Sequence, residues 1–286
     1  MESLPPFILS PNNSTSMTGT VILTGANGSV GIPAAEQLLK AYPQFTAILT
    51  VRNAAESDAN TQRLRGVIAR YPDAKVSVHE VDFANLAAVH EFANQISAAI
   101  EAGEYPSLQS IICCAAYWNL VGDSELTVDG YDKTLQISHI AHAALVLRLI
   151  GSFTNEGRIV LFSSIGHYRK PNAMTSYLPD IPDDIDQLHH PPSSKDKLGR
   201  GFQRYGTSKL VITTWMYTLN RYLQQNPKFS NSHQPRWNRR FSRLHYQYTL
   251  LSEAQTKICS QTIYVGNQSP SRPHVPLGGR RRSRCH

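Results

Sequence analysis

In the stretch RYGTSKL, Tyr205 and Lys209 stand four residues apart, a spacing that puts both on one face of a helix. Pairs of this kind are also common as plain neighbours on a solvated surface, so spacing alone leaves two readings open. The chemical one is specific. A tyrosine hydroxyl beside a carbonyl oxygen can deliver the proton that reduction of a ketone requires, but its ordinary pKa of about 10 must fall by about 3 units, or about 4 kcal/mol, to act near neutrality. An ammonium one helical turn away favours the phenolate and supplies such a shift. A hydroxyl donor must also steady the substrate oxygen as charge develops on it. Ser163 and Ser164, closing the apolar run RIVLFSS, offer that group.

The hydride needs a carrier, and VILTGANGSVG is where one would bind. An apolar strand runs into a turn carrying Gly25, Gly28 and Gly31, and a helix follows. Glycines let the backbone approach a pyrophosphate, and the amides of a helix N-terminus favour negative charge. The second strand ends in TVRN, where an acidic residue would hold the ribose hydroxyls of NAD and a cation would accommodate the 2′-phosphate of NADP. Arg52 occupies that place, which favours NADP(H); the plain alternative is a solvated strand-end arginine. Asp82, in VDFANL, is a candidate for the adenine end of the site, with an ordinary helix N-cap as its competitor. Cys113 and Cys114 read as small buried strand residues. The four cysteines, at 113, 114, 259 and 285, have neither a metal-ligand spacing nor a disulfide framework. A zinc reading of His139 and His142 lacks further ligands, so no metal is expected.

These residues need elements to position them. Apolar runs GTVILTG, TAILTV, KVSVHEV, LQSIICCA and GRIVLFSS alternate with segments whose apolar residues recur at three and four. Strand then helix, repeated, predicts an α/β fold with a doubly wound parallel sheet. From Gly166 to Gly201 the pattern lapses into a Pro, Asp and Ser-rich connection of the length that forms lids or binding segments. FQRYGTSKLVITTWMYTLNRYLQQ then resumes as a long helix carrying the Tyr-Lys pair.

With these motifs in this order, the chain resembles the short-chain dehydrogenase/reductase family, a Rossmann-fold family whose glycine signature is T-G-x-x-x-G-x-G. Thr24, Gly25 and Gly31 match it, and Ser29 stands where the middle glycine should. In the retinol-dehydrogenase-like branch the stretch usually reads TGANSGIG, so TGANGSVG looks like the same turn with Ser and Gly exchanged. The resemblance implies a cofactor site of Thr24, Gly25, Asn27, Gly28, Ser29, Gly31, Arg52, Asp82, Ala115, Tyr205 and Lys209. It implies a catalytic set of Ser164, Tyr205, Lys209 and Ser138, since Y-x-x-x-K matches Tyr205 and Lys209 and the strand-end serine matches Ser164. Two departures stand out. The family's N-N-A-G is Cys113, Cys114, Ala115 and Ala116, which removes asparagines that brace the central strands. Its asparagine in the preceding helix is Ser138, within ISHIAHA, which keeps only a backbone carbonyl to hold a water.

The resemblance covers Thr20 to Asn231. A leader over 1–18, a Rossmann-type NADP-binding and catalytic domain over 19–231 and a basic tail over 232–286 are therefore expected. Ten of the 28 Lys and Arg residues but only one of the 21 Asp and Glu lie beyond Asn231, so the body is slightly acidic and the net charge of +7 is no argument for nucleic-acid binding. No Pro-Gly turn follows the long helix. The family's C-terminal strands are expected to be missing or replaced, leaving an open sheet edge with KICSQTIYVG at most a stray strand, whether the tail is natural or comes from a retained intron or shifted frame. The first residues do not read as a signal peptide, and IAHAALVLRLI is too short and too charged to span a bilayer. A cytoplasmic NADP(H)-dependent oxidoreductase is expected. It would interconvert a secondary alcohol and a ketone on a hydrophobic small molecule, as fungal enzymes of secondary metabolism do, and pair as a homodimer or tetramer. The rival is a nucleotide-binding relative without turnover.

Overall fold

The computed structural model describes residues 18–169, 177–225, 245–250 and 259–264. Its first half follows the strand-helix alternation: β1 (Thr20–Leu23), α1 (Gly31–Ala41), β2 (Thr46–Val51), α2 (Ala59–Ile68), β3 (Val76–Glu80), α3 (Leu86–Glu101) and β4 (Leu108–Cys113). A continuous helix follows, built from α4 (Lys133–Leu135), a π-helical turn over Gln136–Ile140 and α5 (Ala141–Leu149). β5 (Phe153–Ser163), a short α6 (Asp186–His189) and the 29-residue α7 (Lys197–Gln225) complete the body.

The sheet order is β3-β2-β1-β4-β5-β6-β7, with β1 to β5 all parallel to their neighbours. Both faces are buried, and the period-two alternation sorts side chains between them. Val21 and Leu23 of β1 pack with Leu38, Leu39 and Leu64 on the α1–α2 side, while Ile22 packs with Val89, Leu145 and Ile212 on the side of α3, α5 and α7. Each such fully buried aliphatic side chain contributes roughly 1.5–3 kcal/mol. The stretch Lys133–Ser152 is long and apolar enough to pass for a membrane span, but 56% of its most apolar window is buried inside the fold. Leu145 and Leu149 are fully covered there, so it serves as a core helix. Strand order reverses between β1 and β4, and the loops leaving their C-terminal ends diverge into a crevice.

The expected open edge after β5 is corrected. β6 (His245–Leu250) continues the sheet parallel to β5, pairing His245 with Val160 and Tyr248 with Ser163, and β7 (Cys259–Tyr264) closes on β6 antiparallel. The signal lay in HYQYTL, whose Tyr246, Tyr248 and Leu250 alternate with His245, Gln247 and Thr249. That is a strand period, and the arginines and proline on its N-terminal side obscured it. Two strands of the tail thus join the sheet, and the rest of 232–286, like the leader up to Met17, lies outside the described residues.

Candidate active site

The crevice is a cleft of about 430 Å³, lined by the glycine turn, the end of β2, Asp82 and Phe83, the segment Cys114–Trp118, Phe162 and Ser163, and Tyr205 and Lys209. Its floor depends on one close approach. Gly25 has φ +64°, and a Cβ there would sit 2.9 Å from the Cα of Ala115. Only glycine adopts that backbone without strain, and only a small residue at 115 leaves it room. α1 begins with Val30 at its N-cap and has no side-chain cap. Ile32 N–H goes to the Gly28 carbonyl at 3.0 Å and Pro33 has no N–H, so the Gly31 amide is the first-turn donor left for a ligand. Gly28 and Ser29 are exposed at the cleft. The Ser29 side chain therefore stands in open space rather than plugging the turn.

Thr24 answers the loss of the bracing asparagines. Its buried hydroxyl accepts the backbone N–H groups of Cys114 and Ala115, both at 2.9 Å, and lies 2.9 Å from His142 Nε2. With two N–H donors accepted, the hydroxyl's one proton faces two acceptors, the Ile112 carbonyl at 3.4 Å and Nε2 at 2.9 Å, and the shorter contact favours Nε2. His142 then carries its own proton on Nδ1, which faces the Ser138 carbonyl at 3.5 Å. Full burial lowers the His142 pKa to about 3, so the ring is neutral and works as a strut between β1, β4 and the π turn.

At the other end of the cleft, Arg52 is exposed at the close of β2. Asn27 reaches away from the turn and donates to Thr61 Oγ1 at 2.9 Å and, more weakly, to Asp58 Oδ1 at 3.5 Å. Asp58 caps α2 through Thr61 N–H at 2.7 Å. Asp82 is not the N-cap of α3. Asn85 is, accepting from Ala87 and Ala88, while Asp82 Oδ1 accepts Ala84 N–H at 2.9 Å and turns the chain at the cleft wall.

The catalytic end forms where α7 crosses the end of β5. Lys209 is 3% exposed and donates to the Phe162 carbonyl at 3.1 Å. Its Nζ lies 5.6 Å from the centre of the Tyr205 ring. Burial lowers its pKa to about 8. Ser164 lies beside Tyr205, since a Cβ on Gly166 would meet the Ser164 hydroxyl at 3.5 Å and the Tyr205 ring at 3.8 Å. Burial holds the tyrosine hydroxyl above its ordinary value, and the nearby serine offsets part of that rise. The lysine thus sits beside the phenol without bonding it. Ser164 also accepts Gly166 N–H at 3.1 Å. Ser163 points into the structure instead, 3.0 Å from Thr213 Oγ1 and 3.4 Å from the Lys209 carbonyl, which pins α7 to β5. The two serines have divided the work, with Ser164 toward the tyrosine and Ser163 toward the frame.

A second glycine makes this crossing possible. A Cβ on Gly206 would lie 2.5 Å from the Gly166 carbonyl oxygen, so α7 can approach the Ser164 turn only with hydrogen at 206. Ser138 is 1% exposed in the π turn, its hydroxyl has no partner among the described residues, and it does not line the cleft. π turns of this kind recur at functional sites; here the turn leaves the Ser138 carbonyl facing His142.

Comparison with known proteins agrees with this arrangement. The chain is 29% identical over 237 residues to a short chain dehydrogenase of Aspergillus sclerotiorum, covering 77% of this chain and 60% of that protein. It is 31% identical over 237 residues to the WW domain-containing oxidoreductase of Gallus gallus, covering 81% and 52%. The chain belongs to the short-chain dehydrogenase/reductase family. No family model matches it. Among solved structures, a metagenomic short-chain oxidoreductase in complex with NADP superposes with a TM-score of 0.52 at 18% identity, covering 74% of this chain and 79% of that one, which speaks for the fold. The chain spans about three fifths of the length of the curated relatives it matches.

Of the short-chain dehydrogenase/reductase residues expected from the sequence, Gly25, Asn27, Gly28, Ser29, Gly31, Arg52, Asp82, Ala115, Tyr205 and Lys209 all line the one cleft. Ser164 is not among the residues lining the cleft and lies beside Tyr205. Thr24 works from behind as a brace, and Ser138 lies apart. Sequence reading missed Trp118, whose ring is 5.3 Å from that of Tyr205, and Gly206. The dipeptide YW directly after the small CCAA run was the available signal for the first. For the second, the sequence held only a glycine inside a helix, beside the tyrosine.

Proposed function

We propose that this protein is an NADP(H)-dependent oxidoreductase that interconverts a secondary alcohol and a ketone on a hydrophobic small molecule. The observation that carries the reading is Tyr205 and Lys209 lining the same cleft as the glycine turn, with Ser164 beside Tyr205. The donor set suits a nicotinamide dinucleotide. The Gly31 amide and Ser29 would hold the pyrophosphate, Arg52 the 2′-phosphate, Asp82 the adenine end and Lys209 the nicotinamide ribose. The bound nicotinamide would supply the hydride in reduction and accept it in oxidation. Toward reduction, Tyr205 would give its proton to the carbonyl oxygen, and Ser164 would hydrogen-bond that oxygen. Lys209 favours the resulting phenolate by its charge. Oxidation runs the same proton back to Tyr205.

A substrate from fungal secondary metabolism is supported by the names of the relatives, such as short chain dehydrogenases of Aspergillus sclerotiorum and Penicillium terrestre. Placement in the retinol-dehydrogenase-like branch rests on TGANGSVG and ISHIAHA. The domain division at 231 and the cytoplasmic compartment belong to the same reading. Titrating the purified chain with NADPH and NADH, then following NADPH oxidation over a panel of ketones, tests it. Tighter NADPH binding with turnover is expected, and binding without any turnover would overturn it. That second outcome is what a nucleotide-binding relative without catalysis would give. One observation favours this rival: the Ser138 carbonyl, the only part of the missing asparagine's role that the chain retains, already faces His142.

A further inference from the structure

The surroundings of the Tyr205–Ser164 pair define what kind of molecule would present its oxygen there. Trp118 is 41% exposed, tilted 56° to Tyr205 with ring centres 5.3 Å apart, and edge-on to Phe202 at 6.4 Å. Ile165, the residue after Ser164, is 44% exposed. The loop after β4 thus brings an aromatic face to the Tyr205 ring, the first turns of α7 back it with Phe202, and the turn after β5 leaves Ile165 exposed next to Ser164.

Nearby polar side chains are committed elsewhere. Asn119 spends its amide on Glu125 Oε1 at 2.8 Å and its oxygen on the N–H groups of Val121 and Gly122. Arg204 donates to the carbonyls of Asn119 and Gly122, at 3.1 and 2.9 Å. Tyr117 donates to Glu125 at 2.5 Å, and Lys133 reaches the same carboxylate at 3.0 Å. A sugar or other polyol would stack on a tryptophan too, but the polar side chains named here are already paired and offer its hydroxyls nothing among the described residues. A flat, apolar ring would find a face and an apolar flank.

We propose that Trp118 is the substrate platform and that the substrate class is aryl ketones and the matching benzylic-type alcohols, with a fused aromatic ring next to the reacting carbon. This rests on the oxidoreductase reading above. An oxygen within reach of both hydroxyls places the adjoining carbon framework beside Tyr205, where the Trp118 face waits. Aromatic pairs prefer offset or tilted contact at such separations and add to area burial. A saturated ring of the same size has the same apolar area and lacks that increment.

The test uses the full chain saturated with NADP⁺ and measures equilibrium binding of 1-tetralone against 1-decalone, its saturated counterpart. Tetralone is expected to bind about five- to tenfold more tightly, the factor an aromatic pair confers. Trp118→Ala should erase the preference, and Trp118→Phe, which keeps a ring and guards against misfolding, should keep most of it. Equal affinity for the two ketones, binding of neither, or an unchanged preference in Trp118→Ala would overturn the platform. NADPH oxidation measured in parallel separates the two layers. A tetralone preference without turnover would sink the oxidoreductase reading and leave the platform standing. Equal turnover of both ketones would sink the platform and leave the oxidoreductase.

Discussion

At the scale of single residues, buried charge decides the behaviour of the site. The Lys209 pKa in the folded protein is about 8, against an ordinary 10.5. Below pH 8 the ammonium is charged in both the folded and the unfolded chain, and its burial costs stability in full. Between pH 8 and 10.5 the unfolded chain binds more protons, so stability rises with pH, and above that range the cost is gone. Lys209→Met is therefore expected to raise the melting temperature of the cofactor-free protein at pH 7 and to flatten that rise, as followed by circular dichroism. A lower melting temperature with an unchanged slope would count against the assignment. A second residue-scale expectation concerns Asp58, which shares the cleft with Arg52 and feels its charge. Asp58→Asn keeps a good helix cap and removes a negative charge from where the 2′-phosphate would lie. NADPH should bind several-fold more tightly and NADH should not change; a parallel gain for both would show a general effect of charge instead.

At the scale of elements, the site depends on how closely α7 can lie on the end of β5. Gly206→Ala would place a methyl against the Gly166 carbonyl oxygen, and small-to-large changes in packed places cost about 1–3 kcal/mol. The expected result is a loss of turnover of tenfold or more, with cofactor affinity nearly intact because the glycine turn and Arg52 stand on other elements. Full activity in the alanine variant would mean that α7 can shift without moving Tyr205. How far the sequence told of this is clear from particular residues. Tyr205, Lys209 and the glycine turn were legible because their chemistry fixes both residue type and local spacing. Ser164 was legible over Ser163 only through the family pattern, since which serine faces the tyrosine depends on how β5 ends. The YW dipeptide marked Trp118 as an aromatic after the small run, but neither its contact with Tyr205 nor the Thr24–His142 strut was legible. Their partners lie 87 and 118 residues away, and no local pattern encodes a contact between separate elements.

At the scale of the whole molecule, the sheet is the frame, and its C-terminal edge is where the sequence misled. Composition suggested an unpacked tail, yet strand alternation in HYQYTL outweighed it and β6 pairs with β5. An edge with unpaired N–H and C=O groups invites association with other chains, so covering β5 matters to solubility as well as to shape. Hydrogen exchange on the full chain is expected to show amides of 245–250 protected well beyond coil rates. Exchange at coil rates there would place the tail outside the fold.

The account as a whole claims that Tyr205 delivers the proton in a nicotinamide-dependent reduction. Single-turnover oxidation of NADPH by a ketone, compared between the protein and Tyr205→Phe, tests that claim most directly. The phenylalanine variant keeps the ring against Trp118 and loses only the hydroxyl, so NADPH affinity should stay within a few-fold while the rate falls by about 10²- to 10⁴-fold, the usual range of general acid catalysis. A variant that keeps more than about a tenth of the rate would contradict it.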